Sequence, residues 1–536
     1  MGLAVVTTAC LAFAGACGDD DASTTPTPAA SAAGSPSATA TVAVSAPPNT
    51  IDLGGALFTA VAPDAEDLQT TSSPLAIGDF DGDGAGDLAV GAVGGDGPAN
   101  DRENAGEAYV LLGAGGLTGE VDLGEEADFT VYGAAENDNL GTTVLAADLN
   151  ADGIDDLVIG APGVTAGDDP RTDQGRVYVF FGSPSFGGSV DLASDEGFEF
   201  VLTGAEGFSR VGQSLASGDF NADGLTDLLA GAPFAGREPG TAPGGPRLES
   251  GAVYVAFGAS DLGGELNIAF ADAGFTLAND ERHAQLGAAV AAGDVNGDGI
   301  DDIITSAPHK DIDGIIDAGA LYIVYGAAGL SGNIPFSGAD VTIGSDVEQS
   351  RFGNALAAAD LNGDGAAEVV VSASQSAGPD GARAVGGEVY VFEDLGVPGV
   401  FGLAEAALYA HIYGAEVRDS LAQLLASADF DGDGAPETVL TAPFGDGLGA
   451  EESRRGQAYV FFGAALQGTI DLADSLEGLA FIPGAADGDH LGGGLAIGDL
   501  DGDERPELAL AATGGDRRGA VYVLPVSLPT GQAGAP

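Results

Sequence analysis

The feature that most constrains this chain is an acidic turn that recurs seven times at an almost fixed interval. The first copy runs Asp79-Phe-Asp81-Gly-Asp83-Gly84 and ends at Asp87. The same positions hold Asp148, Asn150, Asp152 and Asp156 in the second copy, and Asp219, Asn221, Asp223 and Asp227 in the third. They hold Asp294, Asn296, Asp298 and Asp302 in the fourth, and Asp360, Asn362, Asp364 and Glu368 in the fifth. The sixth has Asp429, Asp431, Asp433 and Glu437, and the seventh Asp499, Asp501, Asp503 and Glu507. Successive starts lie 69, 71, 75, 66, 69 and 70 residues apart. A long, near-constant period marks a repeat architecture, in which each unit buries its apolar face against its neighbours.

Every unit reads alike. In the second, an apolar run from Leu140 to Ala147 enters the turn and Asp156–Ala161 leaves it. Gly175–Gly182 and Phe198–Thr203 follow as third and fourth runs. Short apolar segments separated by turn residues, without a helical period, predict four strands per unit and therefore a propeller blade. The fold class expected is all-β, a seven-bladed β-propeller of four-stranded blades. The seventh unit has three such runs and lacks a fourth. Residues 51–61 resemble residues 121–131 in the first unit, so the N-terminal strand is expected to complete the last blade and hide its open edge.

The turns read as metal loops. Acids at positions one, three and five converge when glycine at position six allows a sharp bend, and position nine adds a further acid. Two carboxylates 4 Å apart repel by roughly 4 kcal/mol at an effective dielectric near 20, so such a cluster calls for a cation. Oxygen-only ligands in a flexible loop favour Ca²⁺ over Mg²⁺. An EF-hand would need Glu at position twelve; here that position is Val90, Ile159, Ala230, Thr305, Val371, Leu440 and Leu510, all in the next strand. The loops are therefore expected to be β-loop-β sites holding up to seven Ca²⁺. The seventh departs from the rest: Glu504 stands where the bend wants glycine, and the weakest site is expected there.

The run from Leu145 to Pro162, with its Gly160-Ala-Pro ending repeated at Gly231-Ala-Pro233 and Ser306-Ala-Pro308, resembles the FG-GAP repeat of integrin α chains and their bacterial relatives. The resemblance covers roughly residues 51–525. It implies a calcium-bearing extracytoplasmic propeller that acts as a surface interaction or adhesion module. Fold alone does not establish adhesion.

Net charge is −66, with 82 acidic residues against 16 Lys and Arg, and Lys310 is the single lysine. That balance argues against nucleic-acid binding and against docking on an anionic membrane surface. Cys10 and Cys17 are the two cysteines, so no disulfide framework holds the repeats. Residues 1–17 read as a signal peptide whose Ala14-Gly15-Ala16-Cys17 ending resembles a bacterial lipobox, with Cys17 the lipidated residue and the membrane reached only through it. Residues 18–50, rich in Ala, Ser, Thr and Pro, read as a tether, and 526–536 as a tail. The expected address is the cell envelope, or secretion, and the expected state a monomer.

Fourteen of the 16 basic residues fall in connections that a propeller places opposite the metal loops; Arg176 and Arg505 do not. Arg237, Arg247, Arg454 and Arg455 are the candidate contacts of a recognition face for a protein or an acidic glycan. Long exposed loops would carry such residues without any ligand, which is the plainer reading. Integrin α propellers, which the chain resembles, use that face for ligand. The sequence shows no Gly-x-Ser-x-Gly elbow and no His-Glu-x-x-His, and its four histidines are spread over different units. A non-enzymatic module is the leading reading. A glycan- or phosphoester-active hydrolase on a propeller scaffold and a structural envelope protein are the alternatives.

Overall fold

The computed structural model describes residues 50–526 apart from short segments, the longest being 237–248. The signal peptide, Cys17, the tether up to residue 49 and the tail from residue 527 lie outside the described residues.

In the second blade, Thr143–Ala147, Asp156–Ala161, Arg176–Phe180 and Phe200–Thr203 pair antiparallel in that order. The other six blades repeat this arrangement. The second strand of every blade is buried along all six of its residues, because sheet neighbours cover its edges and adjoining blades cover both faces. That is why these segments are continuous apolar runs rather than alternating ones.

Each sheet contains the four expected strands, and six of the seven add a fifth. In the second blade it is Gly264–Asn267, parallel to Phe200–Thr203 and contributed by the third unit. Each such strand covers an otherwise open edge. The sixth sheet has only a bridge in the same place, from Thr50 to Phe481.

The innermost strands touch in sequence around the ring, and the seventh, Leu491–Gly498, meets the first, Leu75–Gly78. Seven apolar cores result, one between each pair of successive blades. Packing between blades is tight enough to dictate sequence. A Cβ on Gly160 would lie 2.3 Å from the carbonyl oxygen of Gly212 in the next blade, so the glycine of the Gly-Ala-Pro ending is set by that approach.

Closure follows the expectation and refines it. Phe58–Val61 pairs antiparallel with Ala520–Pro525, Phe58 opposite Val523, and completes the seventh blade. Gly119–Asp122 of the first unit then lies parallel on its outer side. Upstream, the Ile51 amide donates to Phe481 O at 2.9 Å, and Leu53 is buried between the sixth and seventh blades. The 51–61 segment thus splits: its beginning lies against the sixth blade and its end belongs to the seventh.

Candidate metal loops

Each acidic loop joins the first and second strands of a blade, and its position-nine acid is the first residue of the second strand. The loops contact the connections between third and fourth strands. The Ala259 amide, for example, donates to Leu149 O and that of Ser183 to Phe80 O. These connections share one face of the ring; the remaining two sets form the other.

Two carboxylates build every loop. The position-one Asp accepts the amide of position six in all seven, as in Gly84 N to Asp79 Oδ2 at 2.9 Å and Glu504 N to Asp499 Oδ2 at 2.8 Å. The position-nine acid accepts the amide of position two, as in Phe80 N to Asp87 Oδ2 at 2.7 Å. A strand entering a fold with a carboxylate as its first residue must satisfy that carboxylate, and these amides do so in part.

Among the described residues, three loops bring three acids together, with ligand oxygens within 4.8 Å of one another: Asp79, Asp81 and Asp87; Asp429, Asp431 and Glu437; Asp499, Asp501 and Glu507. In the first and seventh of the loops position five stands outside the group. Asp83 Oδ1 instead accepts the Ala85 amide at 2.9 Å, and Asp152, Asp223, Asp298, Asp364 and Asp503 do the same in their loops. Asp433 is outside the described residues. In the second to fifth loops the third position is Asn. Its Nδ2 donates to the position-nine acid, at 3.3 Å for Asn150 to Asp156 and 2.6 Å for Asn362 to Glu368. Asn221 faces Asp227 and Asn296 faces Asp302 in the same way. A half-turn of that amide would present Oδ1 to a cation instead.

The position-nine acids are the electrostatic centre of each loop. Burial pushes Asp87, Asp156, Asp227, Asp302, Glu368 and Glu507 up to about 7, against the pull of the backbone amides they accept. A cation beside such a group would restore its charged form. The chemistry of the donor set therefore fits a hard divalent ion.

Two features escaped sequence reading. Position four, like position six, is left-handed in every loop, with Ala151 at φ 62° and Ala222 at φ 59°; the recurrent glycine at position four was the available signal. Neighbouring loops are also stitched together: Asp79 N donates to Asp155 Oδ2 at 3.1 Å and Asp219 N to Asp301 Oδ2 at 3.0 Å. Asp155 and Asp301 read as ordinary loop acids until the blades are set side by side.

Glu504 has φ 68°, where the six other loops place glycine at 84–94°. Glu504→Gly should raise stability by about 1 kcal/mol by releasing this strain and should tighten cation binding in the seventh loop. Thermal unfolding and a metal titration measure the two effects; if neither moves, strain at this position is not what distinguishes the loop.

On the opposite face several arginines are structural. Arg102 donates to Gly133 O at 2.6 Å and Asp191 Oδ1 at 2.7 Å, and Arg383 to Gly414 O at 2.6 Å and to both oxygens of Asp471 at 2.7 Å. Arg518 donates to Asp122 at 2.5 Å. Each of these acids is the last residue of a parallel fifth strand, so each pair clips one unit to the next. Of the four candidate contacts, Arg237 and Arg247 lie outside the described residues, and Arg455 pairs with Asp487 at 2.7 Å. The Arg454 guanidinium has no ion pair among the described residues.

A closed ring of seven blades, each with an acidic β-loop-β turn on one face, defines a repeat propeller built around loop carboxylates. The FG-GAP repeat family model matches residues 140–180, 211–255, 286–324, 352–392 and 491–524, so the chain carries FG-GAP repeats in five of its seven units. It is 37% identical over 169 residues to the phosphatidylinositol-glycan-specific phospholipase D of Bos taurus, covering 32% of this chain and 18% of that protein. It is 31% identical over 244 residues to integrin alpha pat-2 of Caenorhabditis briggsae, covering 43% and 17%, and 33% identical over 184 residues to integrin alpha-5 of Xenopus laevis, covering 34% and 14%. The chain thus spans less than a fifth of the length of these relatives. No helix among the described residues is long and apolar enough to cross a membrane.

Proposed function

We propose that this chain is a calcium-dependent recognition module that works outside the cytoplasm, presenting its ligand face opposite the metal loops. The observation that carries this reading is the clustering of three acids within 4.8 Å at the mouth of a strand whose first carboxylate is buried. Such a cluster pays for itself only with a cation, and millimolar extracellular calcium supplies one where cytosolic calcium does not. Similarity to integrin α chains supports recognition rather than turnover. Attachment through a lipidated Cys17 belongs to the same reading. A glycan array and a pulldown, each run in calcium and in chelator, test it. Calcium-dependent retention of a ligand is expected; capture that is indifferent to chelator, or no capture, would remove the proposal.

A second reading rests on the similarity to the phospholipase D of Bos taurus, whose name describes action on phosphatidylinositol-glycan. The aligned stretch is 18% of that enzyme, and repeat propellers can be carried by enzymes without holding their chemistry. Release of phosphate-bearing product from a glycosylated phosphatidylinositol by the purified chain would favour this reading over the first.

A further inference from the structure

Arg418 and Arg454 flank one cavity of about 840 Å³ on the face opposite the metal loops. Arg418 lies in the connection between the fifth and sixth blades, and Arg454 between the second and third strands of the sixth. Their backbones are pinned, Arg418 N donating to Ala384 O at 3.0 Å and Arg454 N to Asp446 Oδ1 at 2.9 Å. Their guanidinium groups are not: among the described residues neither makes an ion pair or a side-chain hydrogen bond. Arg176, Arg351 and Arg505 also lack a carboxylate partner among the described residues, but Arg418 and Arg454 line one cavity together. Arg102, Arg210, Lys310, Arg383, Arg455 and Arg518 all have carboxylate partners. Among the described residues, two guanidiniums without a carboxylate partner thus share one cavity, each able to attract an anionic group.

The rest of the lining narrows the ligand. Phe444 contributes an aromatic ring, held edge-on by His490 at 5.5 Å between centroids, and Val385 and Val417 add apolar surface. Ser420 and Asp446 add a hydroxyl and a carboxylate. A dense polyanion would be repelled by Asp446. An acidic peptide would also meet the arginines, and its backbone amides can donate to Asp446 and Ser420, so it is the competitor that the test must exclude. A sugar ring with one carboxylate answers every group: carboxylate to guanidinium, hydroxyls to Asp446 and Ser420, and the ring's apolar side to Phe444. The volume lies within the roughly 300–1,000 Å³ usual for ligand pockets.

We propose that this cavity binds a uronic-acid residue of an acidic oligosaccharide. The proposal rests on the recognition reading and names its ligand class and its site. Tetrasaccharides of glucuronate, mannuronate and galacturonate, each with its methyl-esterified counterpart, would be titrated calorimetrically into the full chain in calcium. At least one free acid should bind, and its ester should bind about tenfold or more weakly, as expected for a lost charge-assisted pair. Arg418→Gln and Arg454→Gln should each weaken binding about tenfold, while Arg455→Gln, whose guanidinium is already paired, should not. Unchanged affinity in the Arg418→Gln/Arg454→Gln double variant, with the melting profile intact, would overturn the pocket and leave recognition elsewhere on the face standing. Equal binding of a poly-glutamate peptide would overturn the sugar assignment. Failure of all three acids to bind would overturn the proposal, and failure of any ligand to appear on the array would overturn the recognition reading with it.

Discussion

Chelating calcium should lower the unfolding temperature of this chain more than any single substitution. A site filled at 100 times its dissociation constant stabilises the fold by about 2.7 kcal/mol, and seven independent sites would reach an upper bound of ~19 kcal/mol. A typical domain has only about 5–15 kcal/mol of net stability. Melting in millimolar calcium and in excess chelator, with magnesium as a control, reads the difference directly; curves that superimpose would mean the loops do not depend on a cation. The chelated chain should also depend on pH in a definite direction. Six of its position-nine acids, Asp87, Asp156, Asp227, Asp302, Glu368 and Glu507, are pushed up to about 7 in the fold, against about 4 when unfolded. The stability they confer is therefore complete below about pH 4 and lost as pH rises through about 7. The metal-free chain should melt lower at pH 8 than at pH 5.5, whereas calcium, which binds the deprotonated form, should stabilise more at pH 8.

The second large effect belongs to the seam. Deleting residues 50–62 removes the buried Leu53, Phe58 and Val61, at roughly 1.5–3 kcal/mol each. It also bares the edges of Ala520–Pro525 and Gly119–Asp122, which then have no strand between them. Unpaired edges seek other chains, so the truncated protein should oligomerise and lose its single sharp transition. Light scattering after size exclusion measures the first and calorimetry the second. Adding a peptide of residues 50–62 should restore both in part. A truncated chain that stays monomeric and melts unchanged would show that the seam is not what holds the ring shut. Ala60→Asp offers a milder version, since Ala60 is fully buried and an unpaired charge there has nothing to compensate it.

Much of this architecture was legible because it depends on local chemistry repeated seven times. The period, the acid at the start of each second strand and the closing strand could all be read from residues such as Asp87, Asp156 and Phe58. What was not legible depends on which residues the ring brings together from distant units. Gly264–Asn267 is four residues long with a single apolar side chain, and its partner lies in the preceding unit, so nothing in its own sequence announces a strand. The hydrogen bond from Asp79 N to Asp155 spans two repeats. The divergent roles of the arginines were equally hidden: Arg383 and Arg454 occupy comparable loops, yet one is clamped by Asp471 and the other borders an open cavity.

The offset between repeat and blade bears on how the molecule is made. Because the parallel edge of each of the first five sheets comes from the following unit, a growing polypeptide does not finish any of those blades until the next one is under way, as roof tiles hold only when overlapped. The last blade is the extreme case. Phe58–Val61 is synthesised first among the described strands and cannot be sheathed until Ala520–Pro525 emerges. Through nearly the whole of translation that strand waits without its antiparallel partner, with only Gly119–Asp122 available to lie beside it.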